Sequence, residues 1–268
     1  MPDREHKAMN AEQVLITGAS SGIGHELAKC FAAEKSNLIL VARNTAALEK
    51  LAAELRRDQA IEVQVLPADL ARPESAQKIF DGLKGRGTAV DVLVNNAGFG
   101  LHGAFAELPL ARQLEIVQVN IATLVALTGW LLPGMVEGRR GGILNVGSVA
   151  GFFPGPNMAV YYASKAFVLS FSEALRVELR GTGVTVTNLC PGPTESNFSQ
   201  VARSHRTRKV HARKMAAAEV ARIGYEDFRR GKTLSVPGCA NKILAGVVAR
   251  LLPRWMAAEL SGNYNRLD

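Results

Sequence analysis

The chain has 268 residues, with 32 Lys and Arg against 24 Asp and Glu, a formal net charge of +8. Apolar residues at 47% and charged residues at 21% exclude a mainly disordered chain, and the length is enough for a substantial core. A pI near 9.6 leaves nucleic acid, an anionic membrane surface and an anionic small molecule as partner classes, to be separated by where the charge sits.

Residues 1–12 form a polar tail without an apolar signal core. Val14–Thr17 is a short β-type run that ends in Gly18-Ala19-Ser20-Ser21-Gly22-Ile23-Gly24. His25–Lys35 has helical spacing, with Leu27, Cys30 and Phe31 on one face. Strand candidates follow at Asn37–Val41, Glu62–Leu66, Asp91–Asn96, Gly142–Ser148 and Val184–Leu189. Helix candidates fall between them at Thr45–Asp58, Pro73–Lys84, Ala111–Leu132 and Val160–Arg180. A last amphipathic helix is expected over Lys242–Leu260. The strands are continuous apolar runs, as expected of a parallel sheet covered on both faces. No repeat and no Pro/Gly/Ser-rich linker divides the chain, so one doubly wound α/β domain over 1–268 is expected.

Cys30, Cys190 and Cys239 are odd in number and widely spaced, and no Cys/His ligand spacing occurs. Neither a disulfide framework nor a metal site is expected, and the setting is expected to be cytoplasmic. The longest apolar stretch, Ile121–Val136, is interrupted by Gly129, Pro133 and Gly134, which argues against a membrane-spanning helix.

A glycine-rich turn between a strand and a helix suits a dinucleotide. Gly18 can turn out of the strand, Gly22 lets the backbone approach a pyrophosphate, and Gly24 lets the helix pack close to the sheet. The helix starting near Ile23 offers N–H groups and its positive dipole end, and Ser20 and Ser21 add hydroxyls. The second strand ends Ala42-Arg43-Asn44 with no carboxylate to bind a ribose 2′-hydroxyl. The Arg43 fork suits a 2′-phosphate, which points to NADP(H).

Tyr161 and Lys165 stand one helical turn apart. An ammonium beside a phenol is expected to lower the phenol pKa and make Tyr161 a proton donor or acceptor. Ser148, at the end of the preceding strand, can hold a substrate oxygen beside it. Tyr162, three residues before Lys165, competes for the same role.

These residues resemble the short-chain dehydrogenase/reductase family. The resemblance rests on Thr17-Gly18-x-x-x-Gly22-x-Gly24, Asn95-Asn96-Ala97-Gly98, the set Asn120, Ser148, Tyr161 and Lys165, and Pro191-Gly192. It runs from about Val14 to Phe198 and implies an enzyme that interconverts a ketone or aldehyde and an alcohol. It selects Tyr161 over Tyr162 and gives Asn120 the task of anchoring a proton-relaying water. It places Asp69 and Leu70 near the adenine, and Asn96, Ala97, Gly98, Pro191 and Gly192 along the cofactor. Either Thr194 or Ser196 would meet the carboxamide. Asn95 is expected to hold strands together, with Thr17 as a partner. The resemblance sets Phe152, Phe153 and Met158 beside the substrate with Phe198 opposite, an apolar wall suited to 3-oxoacyl, steroid-like or aryl/alkyl ketones. It also implies a homodimer or homotetramer through the two long helices.

Between residues 200 and 235 the cations are Arg203, Arg206, Arg208, Lys209, Arg213, Lys214, Arg222, Arg229, Arg230 and Lys232. The anions there are Glu219, Glu226 and Asp227, so ten minus three gives +7 of the chain's +8. The resemblance makes this segment a flap over the substrate. No aromatic residue is interleaved with the cations from Arg203 to Lys214, which argues against nucleic acid. A membrane contact is not expected, because closing the core is the commoner use of the C-terminal helix. The alternative to an enzyme is a non-catalytic NADP-binding sensor or scaffold, which would not need all four of Asn120, Ser148, Tyr161 and Lys165.

Overall fold

A computed structural model describes residues 11–196, 198, 202, 214–248 and 251–266. Seven strands form one parallel sheet: β1 Gln13–Thr17, β2 Asn37–Ala42, β3 Val63–Pro67, β4 Val92–Asn95, β5 Gly142–Val146, β6 Thr185–Leu189 and β9 Leu234–Ser235. Their order is β3-β2-β1-β4-β5-β6-β9, so the winding reverses between β1 and β4. A crevice at the carboxyl ends of the strands is expected at that reversal. A second, two-stranded sheet pairs β7 Thr194–Glu195 with β8 Met215–Ala216.

The apolar strands fill both faces. Val14 and Ile16 of β1 join Leu38, Leu40, Leu144 and Leu189 under α1 (Gly22–Ala33), α2 (Thr45–Gln59) and a later helix carrying Phe228. Leu15 points the other way and joins Ile39, Leu93 and Ile143. That face is covered by α3 (Ser75–Gly85) through Ile79 and Leu83, α5 (Thr123–Glu137) through Leu127 and Leu131, and α6 (Ala159–Glu178) through Leu175. Each such side chain contributes about 1.5–3 kcal/mol on burial, which is why alternation is absent from these strands.

Three readings are corrected. The helix expected over 111–132 runs from Leu110 to Glu137, as α4 (Leu110–Val117), a π turn at Gln118–Ala122 and α5. Pro133 lies inside it without ending it, and by length and composition this helix is apolar enough to cross a membrane. Its Leu127, Leu131 and Met135 are core residues on the sheet. The helix expected over 242–260 is instead α8 (Cys239–Ile243), a π turn at Leu244–Val248 and, after Pro253, α9 (Arg254–Tyr264).

The basic segment is also divided. Arg203, Arg206, Arg208, Lys209 and Arg213 lie outside the described residues. From Ala217 onward the segment belongs to the scaffold, not to a flap: α7 (Ala217–Arg229) buries Val220, Ala221 and Phe228 against the sheet core, and β9 is the seventh strand. Arg222 and Arg230 pair with Glu226, Lys232 pairs with Asp227, and Arg229 pairs with Glu12. Arg229 also lies over the rings of Phe31, Tyr225 and Phe228, at 5.1 to 5.8 Å.

Candidate active site

The glycine turn leaves β1 at the reversal point. Gly18 (φ +67°) and Gly22 (φ +59°) occupy the left-handed region, which glycine adopts without strain. The Gly18 N–H donates to the Val41 carbonyl at 2.7 Å. A Cβ on Gly24 would stand 2.3 Å from Asn96 Nδ2 and 2.5 Å from the Gly18 carbonyl oxygen, so only glycine allows this helix–turn approach. Ser21 caps α1 without a side-chain hydrogen bond, and no acid occupies the first turn. The first N–H groups and the dipole are therefore free to meet a phosphate. Ser20 and Ile23 are half-buried beside the turn, and Ser21 is exposed.

The carboxyl ends of β1 and β4 are stitched together. Thr17 Oγ1 accepts from the backbone N–H groups of Asn96 and Ala97, both at 3.0 Å, and donates to Val94 O at 3.2 Å. Asn96 Nδ2 donates to the carbonyls of Thr17 and Gly18, at 2.9 and 3.1 Å. Thr17 therefore serves Asn96 and Ala97, not Asn95 as expected. Asn95 does join strands, donating to Asn145 Oδ1 at 2.9 Å and to Thr128 Oγ1 at 3.2 Å.

Around the rest of the nucleotide crevice, Arg43 is exposed just past β2. Asn44 caps α2, its Oδ1 accepting from Ala47 N at 3.0 Å. Asp69 Oδ1 accepts from Ala71 N at 3.2 Å, and Thr123 Oγ1 ties down the carbonyl of buried Leu70. The buried Pro191 accepts from Val149 N, and Gly192 lies against Asn241. Thr194 Oγ1 donates to Gly192 O at 2.9 Å. Ser196 Oγ accepts from Phe198 N, and Ser196 Cβ is 3.2 Å from the place a Gly22 Cβ would take. Ser196 is thus the hydroxyl next to the glycine turn.

The four polar residues converge. Asn120 sits in the π turn and is 1% exposed. A π turn inserts one residue into a helix and re-aims a side chain, and such turns favour functional sites. Asn120 Oδ1 accepts from Phe99 N at 3.1 Å, while its Nδ2 donates to Phe99 O at 3.0 Å and to Ser164 Oγ at 2.9 Å. The Ser164 hydroxyl donates to the Tyr161 carbonyl at 2.7 Å. Ser164, three residues after Tyr161, was not singled out in the sequence, although its helical spacing places it on the same side. Lys165 Nζ and Asn120 Oδ1 stand 3.3 and 3.2 Å from the place a Gly98 Cβ would occupy, so Gly98 keeps that space open. Gly100 does the same for Tyr161, whose ring lies 3.1 Å from the corresponding position.

Ser148 lies close enough to the Tyr161 phenol to favour its ionised form, while its Oγ accepts from Ala150 N at 3.1 Å. Burial drives the Tyr161 phenol well above the ordinary tyrosine range, and Ser148 beside it offsets only part of this. The lowered phenol pKa expected from Lys165 is therefore not found. Lys165 Nζ is 6.0 Å from the Tyr161 ring centre and is turned to Val146 O, at 2.7 Å. Burial pushes Lys165 itself down to about 8. Tyr162 is pushed up to about 12 by burial, and its hydroxyl donates to Asn265 Oδ1 at 3.3 Å.

Of the expected apolar wall, Phe153, Met158 and Phe198 cluster with Tyr161, with the Phe198 ring centre 5.1 Å from that of Tyr161. Phe152 departs from that expectation. It packs with Cys190, Val236 and Ala245, because the short 3-10 turn Val149–Phe152 directs it into the core under β6.

The short chain dehydrogenase family profile matches residues 12–207. Sulfoacetaldehyde reductase 2 of Chromohalobacter salexigens is 42% identical over 190 residues, 70% of this chain and 75% of that protein. A very-long-chain 3-oxoacyl-CoA reductase of Phaeosphaeria nodorum is 39% identical over 64% of this chain, which spans only 52% of that protein. A short-chain dehydrogenase from Sphingobium yanoikuyae, solved in complex with NADPH, superposes with a TM-score of 0.80 at 33% identity, covering 89% of this chain and 90% of the other. The family profile covers most of the chain, and the chain belongs to the short-chain dehydrogenase/reductase family of nicotinamide-dependent oxidoreductases.

Proposed function

We propose that the protein is an NADP(H)-dependent reductase of apolar ketones or aldehydes, of 3-oxoacyl, steroid-like or aryl/alkyl type. The observation that carries this reading is a buried phenol that keeps its proton, set beside Ser148 and among Phe153, Met158 and Phe198. A phenol that keeps its proton suits donation to a carbonyl oxygen. Ser148 orients that oxygen, and Lys165 carries a charge that falls away near pH 8. Bound NADPH supplies the hydride to the carbonyl carbon. Arg43 would hold the 2′-phosphate, the turn from Gly18 to Gly24 would hold the pyrophosphate, and Ser196 or Thr194 would meet the carboxamide.

The same reading includes a homodimer or homotetramer through the two long helices, α4 to α5 and α6, supported by exposed Leu110, Leu114, Val125, Phe167 and Val177. It is cytoplasmic, in keeping with three separate free cysteines.

A ketone panel with NADPH and NADH tests the activity. Tyr161→Phe should lower kcat by about 10²–10⁴-fold with NADPH affinity unchanged, while Tyr162→Phe retains turnover. Turnover unchanged in Tyr161→Phe sinks the assignment.

A further inference from the structure

Asn265 lies beyond the region matched by the family profile, and it is fully buried. It follows α9, the last helix among the described residues, and touches three separate parts of the substrate wall. Its Nδ2 donates to Pro156 O at 2.9 Å. Its Oδ1 accepts from the Tyr162 hydroxyl at 3.3 Å. Its backbone carbonyl is hydrogen-bonded to His102 Nε2. A carbonyl can only accept, so that nitrogen carries the imidazole proton. One turn earlier, Ser261 Oγ donates to the Pro154 carbonyl, and Gly262 lies against Pro156.

The elements so tied surround Tyr161. His102 lies in the loop after β4, in which Gly100 meets the Tyr161 ring. His102 N donates to Ala202 O, and Ala202 N to Phe198 O. Gly103 N donates to Asn157 O in the loop that carries Met158. Tyr162 is the next residue after Tyr161, and the two rings meet edge-on at 6.0 Å. Asn265 therefore fastens the loop after β4, the loop before α6 and the residue beside the proton donor to one point. The dinucleotide turn makes none of these contacts.

We infer that Asn265 is a positioning residue of the substrate site: its hydrogen bonds to His102, Pro156 and Tyr162 fix the wall behind Tyr161 and limit the size of carbonyl substrate admitted. The inference rests on the carbonyl-reductase reading for its effect on turnover, but not for its effect on the loops.

The test uses the full chain and its Asn265→Ala variant. Acetophenone and benzophenone are the small and bulky probe ketones. NADPH affinity is read by fluorescence, and amide hydrogen exchange reports local opening. In Asn265→Ala, kcat/KM for acetophenone falls about tenfold or more, and the benzophenone-to-acetophenone ratio rises. NADPH affinity stays within about twofold. Exchange at the amides of residues 100–103 and of Gly155, Asn157 and Met158 speeds up about tenfold or more, while β1 is unchanged. His102→Gln, which retains a side-chain N–H, keeps more of the acetophenone activity than His102→Leu. Unchanged exchange in both loops overturns the inference. So does exchange that rises equally in β1, because Asn265 would then serve general stability. If the wild type reduces no ketone or aldehyde of the wider panel but the loops alone open in Asn265→Ala, the carbonyl reading falls and the positioning role stands.

Discussion

Lys165 donates a 2.7 Å hydrogen bond to the carbonyl oxygen of Val146, the last residue of β5. The bond anchors the α6 ammonium to the sheet end beside Ser148. It satisfies one of three donors on a side chain that is 6% exposed, and burial still pushes the group down to about 8.

Reduction should therefore lose rate as pH rises through about 8. The free-enzyme profile of kcat/KM reports this group. Lys165→Met should abolish that inflection and lower kcat/KM by roughly 10²-fold. Stability moves the other way. The folded-state pKa lies below the unfolded one, so between about 8 and 10.5 the unfolded chain holds a proton that the folded chain has released. Wild-type stability should rise with pH across that window, and the Lys165→Met curve should lack the rise. An inflection that survives in Lys165→Met refutes the assignment.

Arg43 should decide cofactor choice. It is exposed at the end of a strand with no neighbouring carboxylate. Arg43→Asp removes the fork that suits a phosphate and adds an acceptor suited to a ribose hydroxyl. kcat/KM with NADPH should fall about 10–10³-fold, and the NADH value should hold or rise. Equal losses with both cofactors would assign Arg43 to folding instead.

Gly24 should tolerate no side chain. Its Cβ would meet Asn96 Nδ2 and the Gly18 carbonyl at 2.3 and 2.5 Å, and the second of these is backbone. Gly24→Ala should cost about 1–3 kcal/mol of stability and abolish NADPH binding, read by thermal unfolding and cofactor fluorescence. Wild-type affinity in this variant would show that the turn can rearrange.

The glycine turn, Asn96 and the Ser148–Tyr161–Lys165 set were legible because each is a local pattern attached to a strand end. β9 was not, because two residues, Leu234 and Ser235, are too short for periodicity to register. The π turn at Asn120 was hidden because a one-residue insertion changes the phase of a helix without changing its composition. The scaffold role of Arg229 and the ties of Asn265 join positions more than a hundred residues apart, and no local spacing encodes them. The pKa of Tyr161 was misread because sequence shows the nearby ammonium and not the depth of burial.

Arg229→Ala should destabilise the fold by about 1–2 kcal/mol and leave kcat unchanged, because the guanidinium lies between aromatic rings on the far side of the sheet. Burial pushes Glu12 up, but the hydrogen bonds and charge of Arg229 hold it below the usual carboxylate range. A depressed folded pKa gives stability that is present at neutral pH and lost as pH falls through the acid range. The stability gap between wild type and Arg229→Ala should therefore narrow on acidification, as measured by urea unfolding. A lowered kcat in Arg229→Ala would return this residue to a substrate role.

Asn188 offers the opposite case. Asn95, Asn145 and Asn188 stand in register on adjacent strands. Asn95 donates to Asn145, and Asn145 donates to Ser172 Oγ at 2.9 Å. Asn188 continues the row at 1% exposure, yet neither of its amide atoms has a hydrogen-bond partner among the described residues. A buried amide without partners costs about 1–3 kcal/mol. Asn188→Val fits a central strand and removes both atoms. It should raise Tm by about 2–4 °C with kcat and KM unchanged. A lower Tm would show that the amide, packed against Gly147 with its Oδ1 2.5 Å from the place a Gly147 Cβ would take, contributes to stability at this position.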